Sequence, residues 1–184
     1  MNSEPLEDHV EANLAHFVGS ITPSQADPTY SVLKAHLLLE ELLYDFIMRG
    51  LPHPEALRGS RLTFSQLLAL SKASATTLKP EDWHWEGVAR VNKLRNMLAH
   101  QLDAPAAAEK IADLVRFIVS SSGVALPPAT DLQAVEIGSA PRYLAIDAVL
   151  LALYGVLADR LGFDSRSRLF AEQTRSKALA KSSM

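Results

Sequence analysis

Cysteine is absent from the 184 residues. That excludes disulfides, thiolate-bound zinc and thiol nucleophiles. A basic excess is missing too: 18 Lys and Arg stand against 21 Asp and Glu, a formal charge of −3. A uniformly cationic surface for tight, nonspecific binding of nucleic acid is therefore not expected, although a short contact remains open. The chain shows no Gly-rich phosphate loop and no Gly-x-Ser-x-Gly string, which disfavours P-loop enzymes and serine hydrolases. A His-x-x-x-His pair is also lacking, so no metal ligand set and no cofactor is expected. The most apolar run, Tyr143 to Ala158, is short for a bilayer span and carries Asp147. It reads as a buried core helix. The N-terminal stretch MNSEPLEDHVEAN is acidic and polar, unlike a signal peptide. A cytoplasmic protein without membrane contact is the expectation.

What is present favours helix. Ala and Leu abound, aromatics reach only 7%, and hydrophobic residues make up 48%, a balance in which little side-chain entropy is lost on helix formation. Helices are expected over about 5–18, with Ser3 as N-cap, then 28–49, 63–73, 85–101 and 105–121. A sixth is expected from the Ser139/Pro141 start signal to about 161, and a seventh from about 164. No segment has the period of a strand. The expected fold is an all-α, up-and-down helical bundle. Residues 1–123 form the bundle, 124–141 a Pro-containing linker or loop, and 142–184 a C-terminal helical extension packing on it.

One octapeptide in the fourth expected helix carries chemistry: Lys93 to His100, KLRNMLAH. On a helical wheel Val88, Val91, Leu94, Leu98 and Leu102 form an apolar stripe. Asn92, Asn96 and His100 form a polar one on the far side, and Arg95 lies at the margin. Arg95 and His100 point about 140° apart, so the guanidinium meets the imidazole only by swinging its long stem. Asn96 and His100, four apart, share a face. An ordinary solvated helix face has the same composition. Yet an imidazole that titrates near neutrality can move the protons of phosphodiester cleavage, and a guanidinium can clasp the charge gathering on phosphorus. His100 also sits near a helix C-terminus, which favours its protonated form. One strip supplies a single histidine, and a symmetric dimer would supply two.

The string NKLRNMLAH resembles the signature of the HEPN superfamily, all-α domains found in many prokaryotic toxins and RNA-cleaving defence proteins. Its hallmark is an Arg, a polar neighbour, a few variable positions and a His late in a long helix, which Arg95, Asn96 and His100 match. The resemblance covers about residues 26–122 and leaves 124–184 without a counterpart. It implies a helical bundle, a homodimer across the motif helices and metal-independent endoribonuclease activity. Arg95 and His100 would then be catalytic, Asn96 would assist, and RNA would be the substrate. It also implies a toxin or defence role with an antitoxin or regulatory partner. Some members are instead nucleotide-binding or regulatory adaptors.

Glu40 gives a second clue, independent of any family. On the wheel it falls among Leu33, Leu37, Leu43 and Ile47. A carboxylate there needs a partner, and Arg95 is the expected one, through a fork that would aim the guanidinium. A Glu40 reaching to water at the bundle edge is the alternative. His36, one turn earlier, is expected to pack between helices. Trp83 and Trp85 are expected to form a packed lid rather than a base-stacking platform. The six Lys and Arg between Arg160 and Met184 read as a solvated surface helix.

Overall fold

The structure, a computed structural model, describes residues 28–57, 59–100, 104–123 and 140–163, with backbone alone at 100, 104–106 and 140–144. The helices expected over 5–18 and from 164 onward, residues 124–139 of the linker or loop expected over 124–141, and Leu102 lie outside the described residues; 140 and 141 are already helical. Among the described residues are five α-helices: α1 (Pro28–Gly50), α2 (Phe64–Ser74), α3 (Trp83–His100), α4 (Ala104–Ser122) and α5 (Ala140–Arg160). A 3-10 turn (Pro54–Leu57) lies between α1 and α2. No strand occurs among the described residues. The fold is an all-α bundle. Among the described residues, no helix is long and apolar enough to cross a membrane.

Local chemistry sets the boundaries. Pro28 fixes φ in the first turn of α1, and Gly50 followed by Pro52 ends it. Thr63 caps α2 in a reciprocal box: the Gln66 backbone N–H donates to Thr63 Oγ1 at 3.3 Å, and the Thr63 N–H donates to Gln66 Oε1 at 2.9 Å. α3 begins two residues earlier than the expected 85. Asp82 arranges this: its carboxylate accepts from the Lys79 N–H at 2.8 Å and its carbonyl accepts from the Trp85 N–H at 3.2 Å. At the end of α5, Gly162 adopts φ +84. The Gly162 N–H then bonds to the Asp159 carbonyl (3.1 Å) and the Phe163 N–H to the Ala158 carbonyl (2.9 Å), a closure that needs a left-handed residue. It turns Phe163 into the core, where it is 1% exposed with the Arg49 guanidinium 4.5 Å from its ring centroid.

α1 is the centre of the packing and touches α2, α3 and α5, while α4 packs on α3 and α5. One continuous core holds Val32, Leu39 and Leu43 of α1, Val88 and Val91 of α3, Ile118 of α4, and Ile146, Leu150, Leu153 and Leu157 of α5. α5 is therefore woven into the same core as the helices before it. Gly87 lets α5 come close: a Cβ there would lie 3.1 Å from Leu153 Cδ1.

Asp147 is the odd member of α5, 8% exposed. The Ser31 hydroxyl bonds to its carboxyl, while Oδ1 is buried with no partner. Burial raises its pKa more than the Ser31 bond lowers it. The folded chain thus holds a proton that the unfolded chain releases, and stability falls as pH rises past the ordinary carboxyl range. Asp147→Asn removes that loss. Urea unfolding at pH 4 and pH 7 is expected to show the variant gaining stability on the wild type between the two. A gap that stays constant with pH would remove the buried carboxyl as its source.

Candidate functional site

α3 changes character along one face. Val88 and Val91 are fully buried and Leu94 is 4% exposed. Arg95 follows Val88 by seven residues and Val91 by four, so it extends that buried face beyond the core. It is half-buried, and Asn96 beside it is exposed. The Arg95 Nη1 donates to Asn96 Oδ1 at 3.1 Å. Asn96 lies about 100° around the helix from Arg95, and position 100 about 40° further in the same direction. The bond therefore draws the guanidinium toward the side of the helix from which residue 100 departs.

Asn92 does not lie on the far side with Asn96, as the wheel suggested. It is half-buried in the seam with α1, where its Oδ1 meets His36 Nε2 at 3.0 Å. An amide oxygen only accepts, so the ring donates through Nε2–H and its Nδ1 faces Glu40. His36 is 5% exposed and lies flat on Phe64 of α2, with ring centroids 4.3 Å apart. The packing histidine anticipated from the sequence is thus also a polar bridge joining three helices.

Glu40 departs from expectation in its partner. Its Oε2 stands 4.0 Å from His36 Nδ1, with the side chain 37% exposed. Among the described residues that imidazole, rather than Arg95, is the side chain its carboxylate faces. The reason is steric: the His36 ring fills the seam and reaches the motif helix first. The connection from Glu40 to α3 is indirect, through His36 to Asn92. The wheel was right for half of the apolar side. Leu43 and Ile47 are buried, but Leu33 and Leu37 are 36% and 63% exposed, and α1 buries Val32, Ala35, His36 and Leu39 as well. The spacing of those residues placed His36 on the inner face, and that was the available signal for its role.

Burial is the main cause that lowers the His36 pKa, and the positive charge of Arg95 lowers it further, against the raising effects of Asn92 and Glu40. The His84 pKa is lowered as well, again chiefly by burial. Each unfolded imidazole binds a proton at mildly acid pH that its folded form refuses. Their stabilisation is complete above about pH 6.5 and is lost as pH falls through the lowered folded values. His36→Gln retains a donor for Asn92 but cannot titrate. Its urea midpoint is expected to change less between pH 7 and pH 5 than that of the wild type. Identical changes in both would show that His36 does not remain neutral in the seam.

The remaining candidates are structural. Trp85 is 2% exposed and its Nε1–H donates to the Lys79 carbonyl at 3.0 Å. Trp83 stacks on His84. The two close one end of α3, as a packed lid would. Arg90 lies 3.9 Å over the Phe117 ring and pairs with Glu86 at 2.8 Å. Glu81 and His84 have Glu-x-x-His spacing, but Glu81 is exposed and His84 buried. No group of three metal-ligating side chains occurs among the described residues. The basic segment beyond residue 163 lies outside them. No protein-family model, curated protein or solved structure matches the chain.

Proposed function

We propose that this chain is a metal-independent endoribonuclease of HEPN type, acting as a homodimer whose motif helices face each other. The observation that carries this reading is the Arg95–Asn96 hydrogen bond. It holds a half-buried guanidinium along the side of α3 that leads to position 100, next to an exposed amide. In the reaction the 2′-oxygen attacks phosphorus. The P–O5′ bond breaks, leaving a 2′,3′-cyclic phosphate and a 5′-hydroxyl. His100 of one protomer takes the 2′ proton, and its counterpart on the other, protonated near its helix C-terminus, gives one to the departing oxygen. Arg95 stabilises charge on the phosphorane-like transition state, and Asn96 holds the guanidinium or a phosphate oxygen. The His36–Asn92 bridge anchors the motif helix against α1, with Glu40 at its outer end. A role in toxicity or defence, with an antitoxin or regulatory partner, fits such an activity.

Cleavage of labelled RNA in EDTA, by the wild type and by His100→Ala, tests the proposal. A second reading, a nucleotide-binding adaptor, is favoured by the contiguity of the polar array: Glu40, His36, Asn92 and Arg95 follow one another along the seam of α1 and α3. That reading predicts saturable binding of a nucleoside phosphate with no RNA cleavage, and loss of binding in Arg95→Ala.

A further inference from the structure

His36 is a buried titratable group that the cleavage chemistry does not use, and three helices hold it. On its own helix, Glu40 Oε2 stands 4.0 Å from Nδ1. From α2, the uncharged Phe64 ring lies flat against it. From α3, Asn92 Oδ1 accepts from Nε2 at 3.0 Å. Arg95 follows Asn92 by three residues, so the two side chains are neighbours on the surface of that helix. The charges of Arg95 and Glu40 therefore act on the same ring, in opposite directions.

This wiring suits a proton site. The bond to Asn92 uses Nε2–H, which the neutral ring in this tautomer and the charged ring both carry. A second proton enters at Nδ1, on the side that faces the Glu40 carboxylate. The ring can thus gain a charge without giving up its contact with α3 or leaving Phe64. Burial opposes that charge first, and the Arg95 guanidinium opposes it further. Burial is fixed by the fold. The guanidinium charge is not, because an anion seated on it cancels its effect at the ring.

We propose that binding of a phosphodiester at Arg95 is coupled to uptake of a proton by His36, which then pairs with Glu40. The coupling rests on the reading of Arg95 as a phosphate-binding group and adds a proton-dependent control to it. Such coupling is reciprocal. A ligand that makes His36 easier to protonate must itself bind more tightly as pH falls. His36 touches no substrate in this scheme. It acts through Arg95 and regulates the site without being a catalytic residue.

The probe for the test is a short oligodeoxynucleotide. It lacks the 2′-hydroxyl and so survives the proposed cleavage, and its diester phosphates stay charged between pH 5 and pH 7. The His36 ring resonances, assigned by their loss in His36→Gln, are followed by NMR across this range with and without the probe. In the wild type the His36 titration is expected to move to higher pH when the probe is bound. In Arg95→Gln it is expected to lie higher without the probe and to respond no further. Probe affinity, read by fluorescence anisotropy, is expected to rise about five-fold more between pH 7 and pH 5 in the wild type than in His36→Gln, the low end of the usual coupling between sites. The other histidines, His100 included, are common to both chains and cancel in that comparison. Glu40→Gln, at a side chain 37% exposed, retains the fold and is expected to weaken the coupling. A probe that binds while the His36 titration stays in place overturns the coupling and leaves the phosphate reading of Arg95 standing. Equal pH dependence in wild type and His36→Gln does the same. A probe that does not bind at any pH in this range overturns the phosphate reading, and the coupling with it.

Discussion

His100→Ala is expected to lower EDTA-resistant cleavage of labelled RNA by about 10³-fold while leaving the fold intact. A positioned proton-transfer group contributes about 10²–10⁴ to rate. In a symmetric dimer the substitution removes both copies at once, acid and base together. Arg95→Ala is expected to fall by about 10²–10³, the usual loss when a charge-stabilising donor is removed. The two substitutions differ in structural cost. Arg95 is half-buried at the end of the face that carries Val88 and Val91, so its truncation also removes packing by its stem. Arg95→Lys separates the effects, because it keeps charge and stem but loses the two-pronged geometry. A Lys variant that is stable yet slow assigns the guanidinium to transition-state binding. Activity that survives His100→Ala, or cleavage abolished by EDTA in the wild type, removes the mechanism.

Much of the architecture was legible in the sequence because its signals are local. A helix expected from about Thr63 begins there, Gly50 with Pro52 and Gly162 announce helix ends, and the structure places these where the chain chemistry indicates. The main misreading concerns α1, which is apolar over most of its circumference. A wheel locates a buried face by contrast with a polar one, and Leu33, Leu37, Leu38, Leu39, Leu42 and Leu43 give little contrast. The choice between the Leu37 side and the Leu39 side is made by the three helices that α1 meets, a tertiary fact without a local signature. The same limit explains the Glu40 partner. Sequence shows that a carboxylate needs a counterpart, but which residue stands nearest depends on His36 filling the seam. At the motif, the Arg95 margin position was readable from spacing. The Asn92 contact with His36, 56 residues away in sequence, was not.

α5 yields the largest expected effect on stability. Ile146, Leu150, Leu153 and Leu157 recur every three or four residues and are at most 1% exposed. Leu153 lies where Gly87 of α3 lets the two helices approach, with Phe117 of α4 alongside. The site is close-packed by three helices, and shortening the side chain leaves a cavity that rigid helix backbones fill poorly. Leu153→Ala is therefore expected to cost about 3 kcal/mol, within the usual range of such truncations. Leu153→Asp adds a carboxylate with no hydrogen-bonding group designed to meet it, a further cost of several kcal/mol. Together these approach the whole stability of a typical domain, about 5–15 kcal/mol, and the variant is expected to be largely unfolded at 25 °C. Leu37→Asp, a like change at a position 63% exposed on α1, is expected to retain the cooperative unfolding of the bundle core. Urea titrations followed by circular dichroism compare the three. A Leu153→Asp chain that unfolds at the wild-type midpoint would mean that α5 is not part of the core, and would detach residues 140–163 from the bundle that presents Arg95.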